Sequence, residues 1–220
     1  MNNLKIYLDK DINKNLIKNK KIAIIGFGSQ GYGQGMNLVD SGCDVVFGLR
    51  ENGQSWTKAK DYGLRTMSIS DAVKWADIIQ ILIPDEIQSI VYEEEIKPYL
   101  HSGQYLMFSH GFNIHYGYIT PPDGINIIMV APKAPGHTVR SEYLAGKGVP
   151  ALIAVFTPSE PSPARGEAKE LALSYVQQSA QGEQALLKQL SKKKLKPIYL
   201  ENKPFFAVVA LHLSKQHSKL

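Results

Sequence analysis

The sequence predicts a doubly wound α/β fold, a parallel sheet covered by helices on both faces, and three observations carry that prediction. Strand-length segments such as "KIAIIG" (21–26) and "INIIMVAP" (125–132) are apolar along their whole length, as strands buried on both faces are. They alternate along the chain with segments of helical character. The first of them runs directly into a glycine-rich turn followed by a helix-like stretch.

Lys21 to Gly26 is a short apolar run closed by glycine, and reads as a strand. Ser29 to Ser41 carries few strand formers and stops at Gly42, as a helix would. "CDVVFGL" (43–49) is the next strand. "SISDAVKWA" (68–76) is a short helix for which Ser70 or Asp71 is the expected cap, and "DIIQILIP" (77–84) is a strand closed by Pro84. "YLMFSHG", "INIIMVAP" and "VPALIAVF" follow as strands. Between Phe156 and Gly166, "FTPSEPSPARG" has three prolines and reads as an exposed loop or linker. "EAKELALSY" resumes a helix, and regularity degrades after Tyr175, which divides the chain into a domain at 1–175 and an irregular basic tail at 176–220.

At 220 residues and 44% hydrophobic, with both charge signs present, the chain is long enough for one sizeable core. The formal net charge of +5 is concentrated late: Lys188, Lys192, Lys193, Lys194, Lys196, Lys203, Lys215 and Lys219 all lie in the tail. No aromatic platform or groove-reading motif accompanies these lysines, so no nucleic-acid partner is expected. The single cysteine, Cys43, excludes an internal disulfide and points to a reducing compartment. The N-terminal "MNNLKIYLDKDINKNL" is too charged for a signal peptide or a membrane span, so a cytoplasmic, membrane-free protein is expected.

"GFGSQG" (26–31) fits G-x-G-x-x-G directly after a strand and before a helix, the context of a Rossmann-type dinucleotide site. Gly26 and Gly28 let the backbone turn tightly and approach a pyrophosphate, which the amides and dipole of the helix start would hold. A glycine-rich turn without a ligand is the plainer alternative. An NAD site ends its second strand on Asp or Glu, which accepts from the ribose hydroxyls; here the strand ends on Arg50, which cannot accept but can clamp a phosphate. NADP is therefore favoured, with Ser55 and Lys58 as further donors, although Glu51 turned inward would serve an NAD ribose.

With these residues in view, "GFGSQGYGQGMNLVDSGCDVVFGLRENGQSW", "ILIPDEIQ", "FSHGFNIHYG", "VAPKAPGHTVRSEYLAGKGVPALIAV" and "AKELALSY" resemble, in order, the N-terminal half of ketol-acid reductoisomerase. The resemblance implies that Phe27, Gly28, Ser29 and Gln30 lie on the pyrophosphate of NADP(H), and Arg50 with Ser55 on its 2′-phosphate. It implies that Asp85, Glu86, Ile87 and Gln88 border the cofactor, with Gly136 close by. It further implies that His110 and Lys133 are active-site residues, the histidine because an imidazole is intrinsically suited to acid–base work near neutral pH. Gly53 stands where relatives often carry serine, and Ala134 where they usually carry glycine.

The implied reaction is an alkyl migration in a 2-hydroxy-2-methyl-3-keto acid, 2-acetolactate, followed by NADPH reduction to 2,3-dihydroxyisovalerate in valine and isoleucine biosynthesis. Its migration step needs Mg2+ held by carboxylates. The family's metal ligands belong to a helical C-terminal domain expected just after residue 175, and this chain does not show them there; no metal ligand is assigned within the chain, and its oligomeric state is left open.

The genetic code offers a reason. Back-translating "EQALLKQLSKKKLKPIYLENKPFF" and reading from one nucleotide earlier fixes the last two bases of every new codon. Ordinary synonymous codons then spell "RAGVIETTF" and "KEETETDLFGEQAVL", which resemble the opening of the missing domain, including the "ETDLFGEQ" carboxylates. The expectation is a reading-frame slip near Tyr175 or Val176, through a gene lesion or a sequencing error, which makes the basic tail an acidic segment read out of frame.

Overall fold

The computed structural model of the chain describes residues 6–7, 12–156, 163–180 and 187–189. Most of the tail therefore lies outside the described residues. The strands are β1 (Ile6–Tyr7), β2 (Lys21–Ile25), β3 (Asp44–Gly48), β4 (Thr66–Met67), β5 (Ile78–Ile81), β6 (Tyr105–Phe108), β7 (Asn126–Pro132), β8 (Ala151–Phe156) and β9 (Leu187–Gln189). The helices are α1 (Ser29–Asp40), α2 (Gln54–Asp61), α3 (Ile69–Trp75), α4 (Asp85–Val91), α5 (Phe112–His115), α6 (Gly136–Leu144) and α7 (Pro163–Ser179).

The strands form one sheet in the order β1-β9-β8-β7-β6-β5-β2-β3-β4. From β4 across to β7 every pairing is parallel. β2 has β3 on one side and β5 on the other, so the winding reverses beside it and a crevice opens at the carboxyl ends of these strands.

Burial on both faces explains the unbroken apolar runs. In β2, Ile22 and Ile24 join a cluster with Leu38, Met107, Ile128, Leu171 and Tyr175, while Ala23 and Ile25 join another with Val73, Ile79, Tyr92, Ile96 and Leu106. Each fully buried isoleucine contributes roughly 1.5–3 kcal/mol. Among the described residues no helix is long and apolar enough to cross a membrane.

Three local expectations are corrected. The cap of α3 is neither Ser70 nor Asp71 but Ser68, whose hydroxyl accepts from the Asp71 amide at 3.2 Å and donates to the Asp71 carboxylate at 2.9 Å. β8 runs antiparallel to β7. α6 does not carry the chain back along the sheet, and the chain re-enters at the same end, where the Lys133 amide donates to the Pro150 carbonyl at 2.8 Å.

The third correction concerns α7, which begins at Pro163, inside the stretch read as a loop, and continues past Tyr175 to Ser179. Proline is well placed at a helix start, where its missing N–H has no intrahelical partner to lose. The far end of α7 is fully packed: Asn37 Nδ2 donates to the Ser179 carbonyl at 2.8 Å, and Ser41 Oγ to that of Gln178 at 3.1 Å. Yet Gln177 Oε1 and Ser179 Oγ are buried without a hydrogen-bond partner among the described residues.

Candidate functional site

The glycine turn that follows β2 uses its three glycines differently. Gly26 has φ +105°, and a Cβ there would stand 2.9 Å from Ile83 Cγ2 and 3.0 Å from the Leu82 carbonyl, so this position needs glycine on both counts. Gly31 would drive a Cβ into the Gly26 carbonyl, which holds the helix tight against the turn. Gly28 is the N-cap of α1, and a Cβ there would meet nothing within 4 Å. The open space over Gly28, at the positive end of a twelve-residue helix with no acidic residue in its first turn, is what an approaching pyrophosphate requires.

The neighbouring side chains take separate duties. Phe27 is buried, its ring edge-on to Tyr32 and Phe47 at 5.7 and 5.0 Å between centroids, so only its backbone faces the turn. Ser29 is exposed at the helix start. Gln30 ties α1 to the β7–α6 loop, donating to the Ala134 carbonyl at 2.9 Å and accepting from Gln34 at 2.9 Å. Gly136 sits against the Ser29 and Gln30 backbone, where a Cβ would lie 2.7 Å from the Gln30 amide nitrogen.

Beyond β3 a cleft of about 650 Å³ opens, lined by Gly26, Arg50, Asn52, Ser55, Ile87 and Glu95 among others. Arg50 leaves the strand end on one wall, and Ser55 lies in the first turn of α2, whose N-terminus adds amide donors. Glu51 does not line the cleft, and the Lys58 ammonium lies over the Tyr32 ring at 5.9 Å. On the opposite wall Ile87, Val91 and Glu95 follow one another at helical spacing. Nothing in the sequence marks Val91 and Glu95, because α4 and the wider turn at Tyr92–Ile96 carry no strong periodic signal.

A polar cluster occupies the ends of β5 and β6. His110 Nδ1 is 2.9 Å from Asp85 Oδ2. Gln88 donates to Asp85 Oδ1 at 3.0 Å and to the Ile83 carbonyl at 2.9 Å, which leaves its side chain engaged within the protein. Glu86 is exposed beside them. Behind His110, the Ser109 hydroxyl accepts from both Gln34 and Gln80 at 3.3 Å. Gln34, Gln80 and Asn113 were missed in the sequence, where nothing marks an amide inside an apolar strand or a helix as buried.

The family model that matches is the NADPH-binding domain of acetohydroxy acid isomeroreductase, over residues 16–184. The chain belongs to that family. It is 53% identical over 182 residues to the ketol-acid reductoisomerase (NADP(+)) of Sulfurimonas denitrificans, covering 83% of this chain and 52% of that protein. With the same-named protein of Campylobacter hominis it shares 55% over 171 residues, 78% of this chain and 49% of that one. The solved structure of an NADH-preferring ketol-acid reductoisomerase from an uncultured archean superimposes with a TM-score of 0.76 at 40% identity, covering 85% of this chain and 56% of that one. The chain thus spans about half the length of the curated reductoisomerases it matches.

The open glycine turn and the cleft fit the NADP(H) expected of the family. A magnesium site finds no such fit: among the described residues no three His, Cys, Asp or Glu side chains group as metal ligands. Lys133, at the end of β7, is exposed as a residue, but burial around its ammonium lowers its pKa below the ordinary lysine value. The unfolded chain then holds this proton more tightly. Stability from this group therefore grows as pH rises from the folded-state value to the unfolded one. Two results are expected from NMR of 13C-methylated lysines: Lys133 titrates below the surface lysines, and added NADPH moves it back up by supplying negative charge.

Proposed function

We propose that this chain is the nucleotide-holding half of a ketol-acid reductoisomerase, which binds NADPH but does not by itself convert a 2-hydroxy-2-methyl-3-keto acid. The carrying observation is the cleft at the winding reversal, with Arg50 and Ser55 on one wall beside the open face of Gly28. In this reading the backbone of residues 27–30 holds the pyrophosphate and Arg50 with Ser55 holds the 2′-phosphate. Ile87 packs on the adenosine half, and Asp85, Glu86, Gln88 and Gly136 border the site. Bound NADPH supplies a hydride to an electrophilic carbon. His110 and Lys133, at the ends of β6 and β7, handle a substrate proton and a substrate negative charge. The protein works in the cytoplasm.

The absence of turnover is assigned to a reading-frame slip at Tyr175 or Val176, which removes the Mg2+-binding carboxylates. Protein fluorescence titrated with NADPH, followed by addition of Mg2+ and 2-acetolactate, tests both parts. Saturable binding with no NADPH oxidation is expected. A folded protein that binds no NADPH overturns the nucleotide reading, and turnover overturns the loss of the carboxylates. The encoding DNA across codons 170 to 185 decides the slip directly, since a one-nucleotide shift there must restore the family sequence.

A further inference from the structure

Asn113 lies on α5, is 3% exposed, and has no part in the function proposed above. Its Nδ2 donates to the Asp85 main-chain carbonyl at 3.1 Å and to Gln88 Oε1 at 3.0 Å. Gln88 is 4% exposed, so the orientation of its amide is decided by these neighbours. A donor on one side requires its oxygen there. On the other side, the Ile83 carbonyl and Asp85 Oδ1 require its nitrogen. Turning the amide over would set oxygen against two oxygens and nitrogen against nitrogen, forfeiting three hydrogen bonds in a buried place.

With Oδ1 of Asp85 held in this way, Oδ2 is directed at His110 Nδ1 at 2.9 Å. An ionised carboxylate has no proton to give, so a lone pair on Nδ1 would face its negative charge at this distance, and the ring proton resides on Nδ1. In the neutral ring Nε2 then carries the lone pair. We propose that Asn113, Gln88 and Asp85 form a positioning chain that fixes His110 as its Nδ1–H tautomer, with the ring's lone pair on Nε2. Asp85 and Gln88 thereby act through His110, and Asn113 is a positioning residue linked to it by two hydrogen bonds and the Asp85–His110 ion pair.

The use of Nε2 rests on the function proposed above, but the tautomer does not, and the experiment separates them. The full chain, 15N-labelled at its six histidines, is studied by long-range 1H–15N correlation at alkaline pH, where the rings are neutral. His110 is assigned by the signal lost in His110→Gln. The expected wild-type pattern is a pyrrole-type Nδ1 and a pyridine-type Nε2. A carboxylate oxygen 2.9 Å from Nδ1 biases the tautomer ratio by about tenfold or more through its charge. Asn113→Asp, which keeps the size and replaces the donor by an acceptor, turns the Gln88 amide and is expected to lose most of that bias. Asn113→Leu is expected to reduce it.

A wild-type His110 protonated at Nε2 overturns the proposal without any variant. An unchanged Nδ1–H tautomer in folded Asn113→Asp and Asn113→Leu overturns the role of Asn113 and Gln88. Failure to bind NADPH, with the tautomer as expected, would overturn only the function proposed above.

Discussion

Arg50→Asp is expected to weaken NADPH binding by about a hundredfold and to leave NADH binding within about threefold of the wild type. Arg50 stands just past β3 on the wall of the cleft, where, in the function proposed above, its guanidinium fork would meet the 2′-phosphate with two charge-assisted hydrogen bonds. Each is worth roughly 1.5–3 kcal/mol when dry, and solvent at this open wall reduces the pair to about 3 kcal/mol. The introduced carboxylate adds repulsion toward a 2′-phosphate while offering an acceptor to the free ribose hydroxyls of NADH. Calorimetric titration with both nucleotides checks the split. Wild-type affinity for NADPH should also fall with added salt far more than that of the variant. An equal loss for both nucleotides would mean that Arg50 supports the fold of the loop and does not read the phosphate.

The largest effect on stability is expected from Gly136→Ala. A Cβ at Gly136 would enter the Ser29 carbonyl and stand 2.7 Å from the Gln30 amide nitrogen, and one at Gly33 would enter the Gly136 carbonyl in return. The two helices approach through these glycines, and the atoms in the way are backbone, with no rotamer to yield. Overpacking of side chains costs about 1–3 kcal/mol, so an obstruction by backbone belongs at or above the upper end of that range. In a domain of this size, that lowers the melting temperature by roughly 10 °C. Gly28→Ala is the matched contrast. With nothing within 4 Å of its Cβ, it should melt within about a degree of wild type and still lose NADPH affinity, because the methyl occupies the space over the turn. Thermal melting and NADPH titration of the two variants separate a glycine kept for packing from one kept for a ligand.

How much of this was legible in the sequence depended on where each residue's neighbours come from. The strands of the central sheet were readable because both of their faces are buried, which leaves a run such as Ile22 to Ile25 apolar throughout. The glycine turn was readable because tight turns admit few residues. α2 and α4 were not, since α2 buries only Ala59 and α4 only Gln88, which leaves almost no periodic stripe. The site followed the same division. Arg50 and His110 follow strand ends that the pattern marks, whereas Ser55 stands in the first turn of α2, which it does not. Their side-chain neighbours are not marked: Asp85 meets His110, and Asn113 meets Gln88, only through long-range folding. The side-chain duties of Gln30 and Gln88 were invisible for the same reason, because an amide's partners are chosen in three dimensions.

The buried end of α7 can be followed back to nucleotides. An amide or hydroxyl buried without a partner costs about 1–3 kcal/mol, and Gln177 and Ser179 each carry one. Under the proposed slip, each new codon takes the last base of the preceding codon and the first two of its own. A glutamine codon read this way at position 177 specifies Ala, Ser, Thr or Pro, whatever codon serves Val176. At position 178 it specifies only Ala or Thr. A TCN serine codon at position 179 becomes Ile or Val. The glutamine amides vanish under every synonymous choice, and with a TCN codon Ser179 turns apolar where the site is fully enclosed. A one-base change in the message would thus appear in the folded chain as amides and a hydroxyl set where hydrocarbon belongs.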